Sequence, residues 1–418
     1  MGPSALFDKS FLQSLTVDES VWFDHYFYGL VCPLFYIETL ADLEKAVRQG
    51  RTPEDEVGII AAKFPEMYAV PSVHHTGAAI SNLLGMPVPM TGQIPVPGGR
   101  TSRTGEHAGV IFERSRESEA FARWRRREFL ALEREFARSW RQALAGVNLD
   151  GIVRGLLGAD GKPLKFCKSL DEAKRVAEEL VARSPNRTAV MRLVLEILQV
   201  PRERHQQIAE RWSVLGYKAL SEFAPYAAHV VTVEVFFQLA VSSRLIGAGR
   251  ASNRADIAYL NYLPFCHVFV SSDRLHQRCA PCFLRSDQEF VWGEDLKREL
   301  QELNQYFITL PEEVRERGIG SFADGLPPRQ VAPLLADVWE RHHWGHPRGT
   351  SIPLDRMPPG ELERLSQQIC GEIESLKSAP ELGSGAVQED ALNSVTIERT
   401  FRRKKGSWYQ VAKDLKQG

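Results

Sequence analysis

Four acidic residues stand at the ends or in the middle of apolar stretches. Asp8 follows "SALF", Glu38 sits inside "LFYIETL", Asp256 lies in the first turn of "NRADIAYLNYL", and Asp273 closes "HVFVSSD". Carboxylates just past strand ends can do ligand chemistry, because in doubly wound sheets the carboxyl ends of the strands form the binding crevice. Each acid also has a plainer role. Asp8 and Asp273 would cap the helices that follow them, and Asp256 would be the third-position acid of a capping box begun by Asn253. Glu38 is harder to explain that way, since its neighbours Phe35, Tyr36, Ile37 and Leu40 are apolar and a buried carboxylate needs a partner.

The elements that must carry these acids can be read from pattern. "SALF" and "HVFVSSD" read as strands, each leading into a helix, and "CPLFYIETLADLEKAV" is helical, with Leu34, Ile37, Leu40, Ala41 and Leu43 on or near one face. "FVWGEDLKRELQELNQYF" reads as a strand leading into a helix. Residues 84–110 are broken by Pro and Gly every few positions and read as a long loop. One long helix is expected over Glu113–Leu144, with Phe121, Trp124, Phe129, Leu132, Phe136 and Trp140 at helical spacing, and the chain from 110 to 250 reads as mainly helical. A last helix is expected in "PPGELERLSQQICGEIESLK".

Composition sets outer limits. The 418 residues are 43% hydrophobic and 25% charged, an ordinary globular mix, and the net charge of −1 provides no global field to draw the chain onto nucleic acid. Six scattered cysteines fit a reducing compartment. The N-terminus has no basic-then-apolar leader, and Leu6 stands where a myristoylation signal has Ser or Thr. The apolar run from His229 to Gly249 contains Glu234, Gln238 and Arg244, so it reads as a buried helix and not a membrane span. A cytoplasmic protein with no membrane partner is expected.

Taken jointly, the acids resemble the PIN-like nuclease family. "ALFDKSFL" is similar to its opening strand and aspartate, and "PLFYIETLADL" to its second-helix glutamate. "NRADIAYLNYLPFCHVFVSSDRLH" is similar to its block of a third acid, a helix and a strand ending in Ser/Thr-x-Asp, with the two acids 17 residues apart. The chain departs from the family in the 218 residues separating Glu38 from Asp256.

The resemblance implies an α/β fold, a PIN-like small parallel sheet flanked by helices. Its core would be discontinuous (1–50 and 250–310) and interrupted by a large mainly helical insertion (51–249). A helical extension (311–378) and a polar, basic tail (379–418) would follow. It also implies a metal-dependent nuclease, an endoribonuclease above all, with Asp8, Glu38, Asp256 and Asp273 as catalytic ligands of Mg²⁺ or Mn²⁺, ions that suit hard oxygen donors. Ser271 would support them, with Asn253 and Ser10.

The substrate would be RNA, with DNA as the other class. Arg402, Arg403, Lys404 and Lys405, with Trp408 for base stacking, are the main candidates to bind it; "RWRRRE" and "GGRTSR" are lesser basic patches. The insertion would gate the site, bind a regulatory protein or form a homo-oligomer, an arrangement that by analogy suits a toxin or anti-phage effector. A catalytically silent scaffold for RNA or protein is the second reading, and a helical regulator whose acids are only caps is the third. His276, Cys279 and Cys282 could form a zinc site, and His342, His343 and His346 a metal or acid/base cluster.

Overall fold

In a computed structural model of the chain, residues 2–43, 50–95, 100–104, 107–112, 116–146, 166–182, 185–247, 252–342, 364, 394–397 and 401–415 are described. The central element is a five-stranded parallel sheet built from β1 (Ser4–Phe7), β2 (Tyr28–Val31), β3 (Val70–Pro71), β6 (Val268–Ser271) and β7 (Glu289–Trp292). Its order is β3-β2-β1-β6-β7, and every neighbouring pair is parallel. β1 and β6 sit in the middle with all four residues of each buried, which is why they read as unbroken apolar runs rather than alternating ones.

Helices flank the sheet. α1 (Lys9–Ser14), α2 (Val17–Tyr26) and α3 (Pro33–Ala41) follow the first two strands, and α4 (Pro53–Lys63) precedes β3. α2 opens with a capping box, in which Thr16 and Glu19 satisfy each other's backbone N–H groups. α3 opens on Pro33, where a missing N–H costs nothing.

A helical layer lies between β3 and β6. It contains α5 (His75–Leu83), α6 (Arg116–Arg125), α7 (Ala131–Gly146), α8 (Leu170–Ala182), α9 (Arg187–Ile197), α10 (Arg202–Val214), α11 (Leu220–Phe223), α12 (Pro225–Ser242) and α13 (Ser252–Ala258), and α13 runs into a 3-10 turn at Tyr259–Phe265. α12 is the spine of this layer, packed against α5, α8, α9, α11 and α13. Its one charged side chain, Glu234, is buried and pairs with Arg254 of α13 at 2.8 Å, so the acid inside the apolar run is neutralised by the element it holds. No helix among the described residues is long and apolar enough to cross a membrane.

α14 (Arg274–Cys279) follows β6. Beyond β7 come α15 (Gly293–Ile308), α16 (Glu312–Arg315) and α17 (Pro333–His342), with α15 packed against α2 and α17. Gly293 opens α15 because a side chain there would collide with Ser272 Oγ and come within 2.9 Å of Phe11.

The structure corrects several expectations. β3 pairs with β2, so the sheet unit extends past residue 50 to Pro71. Part of the expected loop 84–110 is sheet: β4 (Arg100–Thr104) pairs antiparallel with β5 (His107–Phe112), and β8 (Ser394–Ile397) joins β5 in parallel. The long helix over 113–144 is two, α6 and α7, separated where Arg127 adopts a left-handed φ of 61°. The helix expected in "PPGELERLSQQICGEIESLK" lies outside the described residues.

The basic tail is docked. Its hairpin, β9 (Lys404–Lys405) and β10 (Trp408–Tyr409), packs against α2. Trp408 is 0% exposed; its Nε1 donates to Asn304 Oδ1 at 2.7 Å, and its ring stands edge-on to Trp22 at 4.7 Å. Lys405 is 1% exposed and donates to the Phe64 carbonyl, and burial pulls its pKa down to about 8 against the pull of Asp24 and Glu66. Arg402 forks onto Glu66 at 2.6 and 2.9 Å, Arg403 donates to the Lys413 and Leu415 carbonyls, and Lys404 lies over the Tyr409 ring. Arg402, Lys405 and Trp408 hold the tail to the body, Arg403 and Lys404 make contacts within the tail, and Trp408 and Lys405 are not presented to a nucleic acid. The "RWRRRE" arginines are likewise paired, with Glu133, Glu66, Glu128 and Asp55.

Candidate active site

The strand order reverses between β1 and β6: connections from β1 run outward to β2 and β3, and the chain returns on the other side to β6 and β7. A crevice opens at the carboxyl ends of the strands at such a switch point. Asp8 stands one residue past β1, and Ser271 ends β6 with Asp273 two residues on. α3 brings Glu38, and α13 brings Asp256. Asp8 and Asp273 therefore share one edge of the sheet; Tyr259, in the turn after α13, bonds Glu38, and His276 bonds the Asp256 carbonyl.

Asp8 and Asp273 are caps as well as crevice residues. Asp8 is 3% exposed; its Oδ1 accepts the Phe11 N–H at 2.8 Å. Its Oδ2 accepts Ser10 Oγ at 2.8 Å and Ser271 Oγ at 2.7 Å, and lies 3.4 Å from His276 Nδ1. Asp273 Oδ1 accepts the Leu275 N–H at 2.5 Å. Ser10 and Ser271 thus support Asp8 as expected. Asn253 does not join them: its amide donates to the Gly247 carbonyl, away from the acids.

Hydrogen-bond accounting fixes the charge on His276. The Ser271 hydroxyl has one proton, directed to Asp8, and its oxygen already accepts the Asp273 N–H at 2.9 Å. Its 2.8 Å contact with His276 Nδ1 therefore takes a proton from the ring. His276 Nε2 lies 2.8 Å from the Asp256 carbonyl, which can only accept. Both ring nitrogens carry hydrogen, so His276 is an imidazolium. Burial alone would lower its pKa, but the bond to Asp8 and that carboxylate's charge raise it to about 9. The same pair, with the Ser271 and Phe11 donors, outweighs burial at Asp8 and holds its carboxyl below the usual range.

Beside His276, Lys9 is a further buried cation, 2.9 Å from Asp42. With His276 given to Asp8 and Lys9 to Asp42, Glu38 and Asp256 have no cation of their own among the described residues. Burial raises both. Glu38 is raised further by Asp42 and Asp8, against the opposing pull of Lys9 and a 2.9 Å hydrogen bond from Tyr259. Asp256 is pushed up to about 7 by burial and then by Glu38, with Asp273 and Asp8 adding and His276 opposing.

Carboxylate oxygens with uncompensated charge suit a hard divalent cation. Among the described residues, however, no three His, Cys, Asp or Glu side chains converge closely enough to hold a metal, so a cation would have to draw these acids inward. The zinc alternative has no support in the side-chain geometry: both His276 nitrogens are used as above, and Cys282 Sγ points to Asp171 Oδ1 at 3.4 Å. His342 bonds Glu289 at 2.8 Å, and His343 and His346 lie outside the described residues. No protein-family model, curated protein or solved structure matches the chain.

Pattern reading misses His276 as part of the site, along with Lys9, Tyr259 and Asp42. Two of these carry a signal. His276 follows Asp273 by three positions, and Tyr259 follows Asp256 by three, spacings that share a face where the chain is helical.

Proposed function

We propose that the chain is a divalent-cation-dependent phosphodiester hydrolase, a PIN-like nuclease acting on RNA before DNA. One observation carries this reading: at the switch-point crevice the buried cations His276 and Lys9 are already paired, and Glu38 and Asp256 are left near Asp273 with their pKa values raised. A charge deficit of that kind is what a metal relieves. Glu38, Asp256 and Asp273 would hold Mg²⁺ or Mn²⁺, with the one Oδ1 lone pair of Asp8 not taken by Phe11 as a further donor. The chemistry such an ion supplies is activation of water and neutralisation of charge on phosphodiester oxygens. Ser10 and Ser271 fix the rotamer of Asp8, and Tyr259 orients Glu38. Arg274, next to Asp273, is exposed and would be the basic side chain to meet a phosphate.

The silent-scaffold reading has its own observation: His276 neutralises Asp8 from within the protein, where a nuclease would use a metal. Cleavage of single-stranded RNA in Mn²⁺ or Mg²⁺ separates the two. Wild type should cut, and Asp273→Asn, which keeps the cap on α14, should lose at least about 100-fold in rate, the scale on which even indirect metal partners act. Equal RNA binding by both proteins with cutting by neither would leave the scaffold.

A further inference from the structure

His276 joins segments that the sheet alone does not join. Its Nδ1 bonds Ser271 and faces Asp8 at the β1–β6 seam, and its Nε2 holds the peptide carbonyl of Asp256 on α13. α13 also packs against α14, α7 and α3, and two further side-chain bonds tie it down. Arg254 binds it to Glu234 of α12, and Tyr259, in the turn that follows, reaches Glu38 of α3. The first leads into the helical layer and the second to another acid-bearing helix. The 3-10 turn after α13 packs on β1, but neither of these two side-chain bonds reaches the strand ends that precede Asp8 and Asp273. The imidazole makes that link, and it is buried between Tyr259 and Phe269, with ring centroids 5.4 and 5.0 Å away.

We propose that His276 is a positioning residue: it fastens the helix bearing Asp256 to the β1–β6 seam and so sets the separation of the third acid from the first and fourth. Its importance to catalysis rests on the nuclease reading; the fastening does not. Two hydrogen bonds in opposite directions from one rigid ring are needed, which explains a histidine where an amide could make only one of them well.

The test uses full-length, metal-free protein and hydrogen exchange at the backbone of 252–265. His276→Phe keeps a flat aromatic ring and loses both bonds. It should speed exchange there at least tenfold while leaving 268–271 unchanged, and His276→Gln should fall between. If the phenylalanine variant fails to fold, His276→Ala is used, with protection restored by added imidazole and not by thiophene, a ring of similar size without N–H groups. Mn²⁺ affinity, measured by electron paramagnetic resonance, should weaken by roughly 10- to 100-fold in His276→Phe. Unchanged exchange over 252–265 in the phenylalanine and glutamine variants, or equal rescue by thiophene, overturns the proposal. Failure of wild type to bind Mn²⁺ instead removes the nuclease reading, and exchange still decides the fastening.

Discussion

Asp256→Asn is expected to abolish cleavage and to stabilise the protein at the same time. The two effects share a cause. Burial and the charge of Glu38 push the Asp256 pKa up to about 7, so at pH 8 the carboxylate is ionised against the preference of its surroundings. The sign follows from linkage. Between its unfolded value of about 3.9 and the folded value, the native state binds the extra proton, so wild type gains stability as pH falls through 7 and loses it as pH rises. A tenfold difference in proton affinity between the folded and unfolded states is worth about 1.4 kcal/mol, and because Asp256 keeps some contact with solvent we discount the sum to about 2 kcal/mol. Asparagine cannot ionise. The variant should therefore match wild type near pH 4 and exceed it by about 2 kcal/mol at pH 8, while cleavage falls by at least about 100-fold. Denaturant unfolding at the two pH values and a single-turnover cleavage assay check this. A variant less stable than wild type at pH 8 would mean that the Asp256 charge is already satisfied.

Trp408→Ala should cost stability and leave nucleic-acid binding alone. The indole is 0% exposed, bonded to Asn304 and packed against Trp22. Removing a buried tryptophan side chain costs about 3–5 kcal/mol, and for a chain of this length that lowers the melting temperature by roughly 4 °C. The Asn304 oxygen keeps the Trp22 Nε1 donor at 3.2 Å, so the loss is mainly packing. RNA affinity measured well below the transition should stay within twofold. A large loss of affinity with an unchanged melting temperature would return the tail to the role its composition suggests.

What can be read in the sequence is what the strands and caps dictate. β1 and β6 are central and parallel, so they appear as short apolar runs, and the acids that end them must lie at one edge of the sheet if the strands are neighbours. β3 is not legible because two residues ending in Pro71 carry no period; only pairing with β2 makes them a strand. The break between α6 and α7 falls at Arg127, where neither Gly nor Pro marks the left-handed turn. The tail misleads because a tryptophan beside basic residues looks the same whether it stacks on a base or is buried. Its partners Asn304 and Trp22 are 104 and 386 positions away, a pairing no local pattern reports. His276 misleads for a related reason. Its spacing to Cys279 and Cys282 suits zinc, whereas its true partners include a peptide carbonyl, which leaves no mark on sequence.

The most direct test of the central claim is anomalous diffraction from crystals equilibrated with Mn²⁺. A peak is expected at the carboxyl ends of β1 and β6, within about 2.2 Å of carboxylate oxygens from Asp256 and from Glu38 or Asp273, with those side chains drawn inward. Saturating Mn²⁺ with no peak in the crevice, and His276 and Lys9 still paired with Asp8 and Asp42, would contradict it.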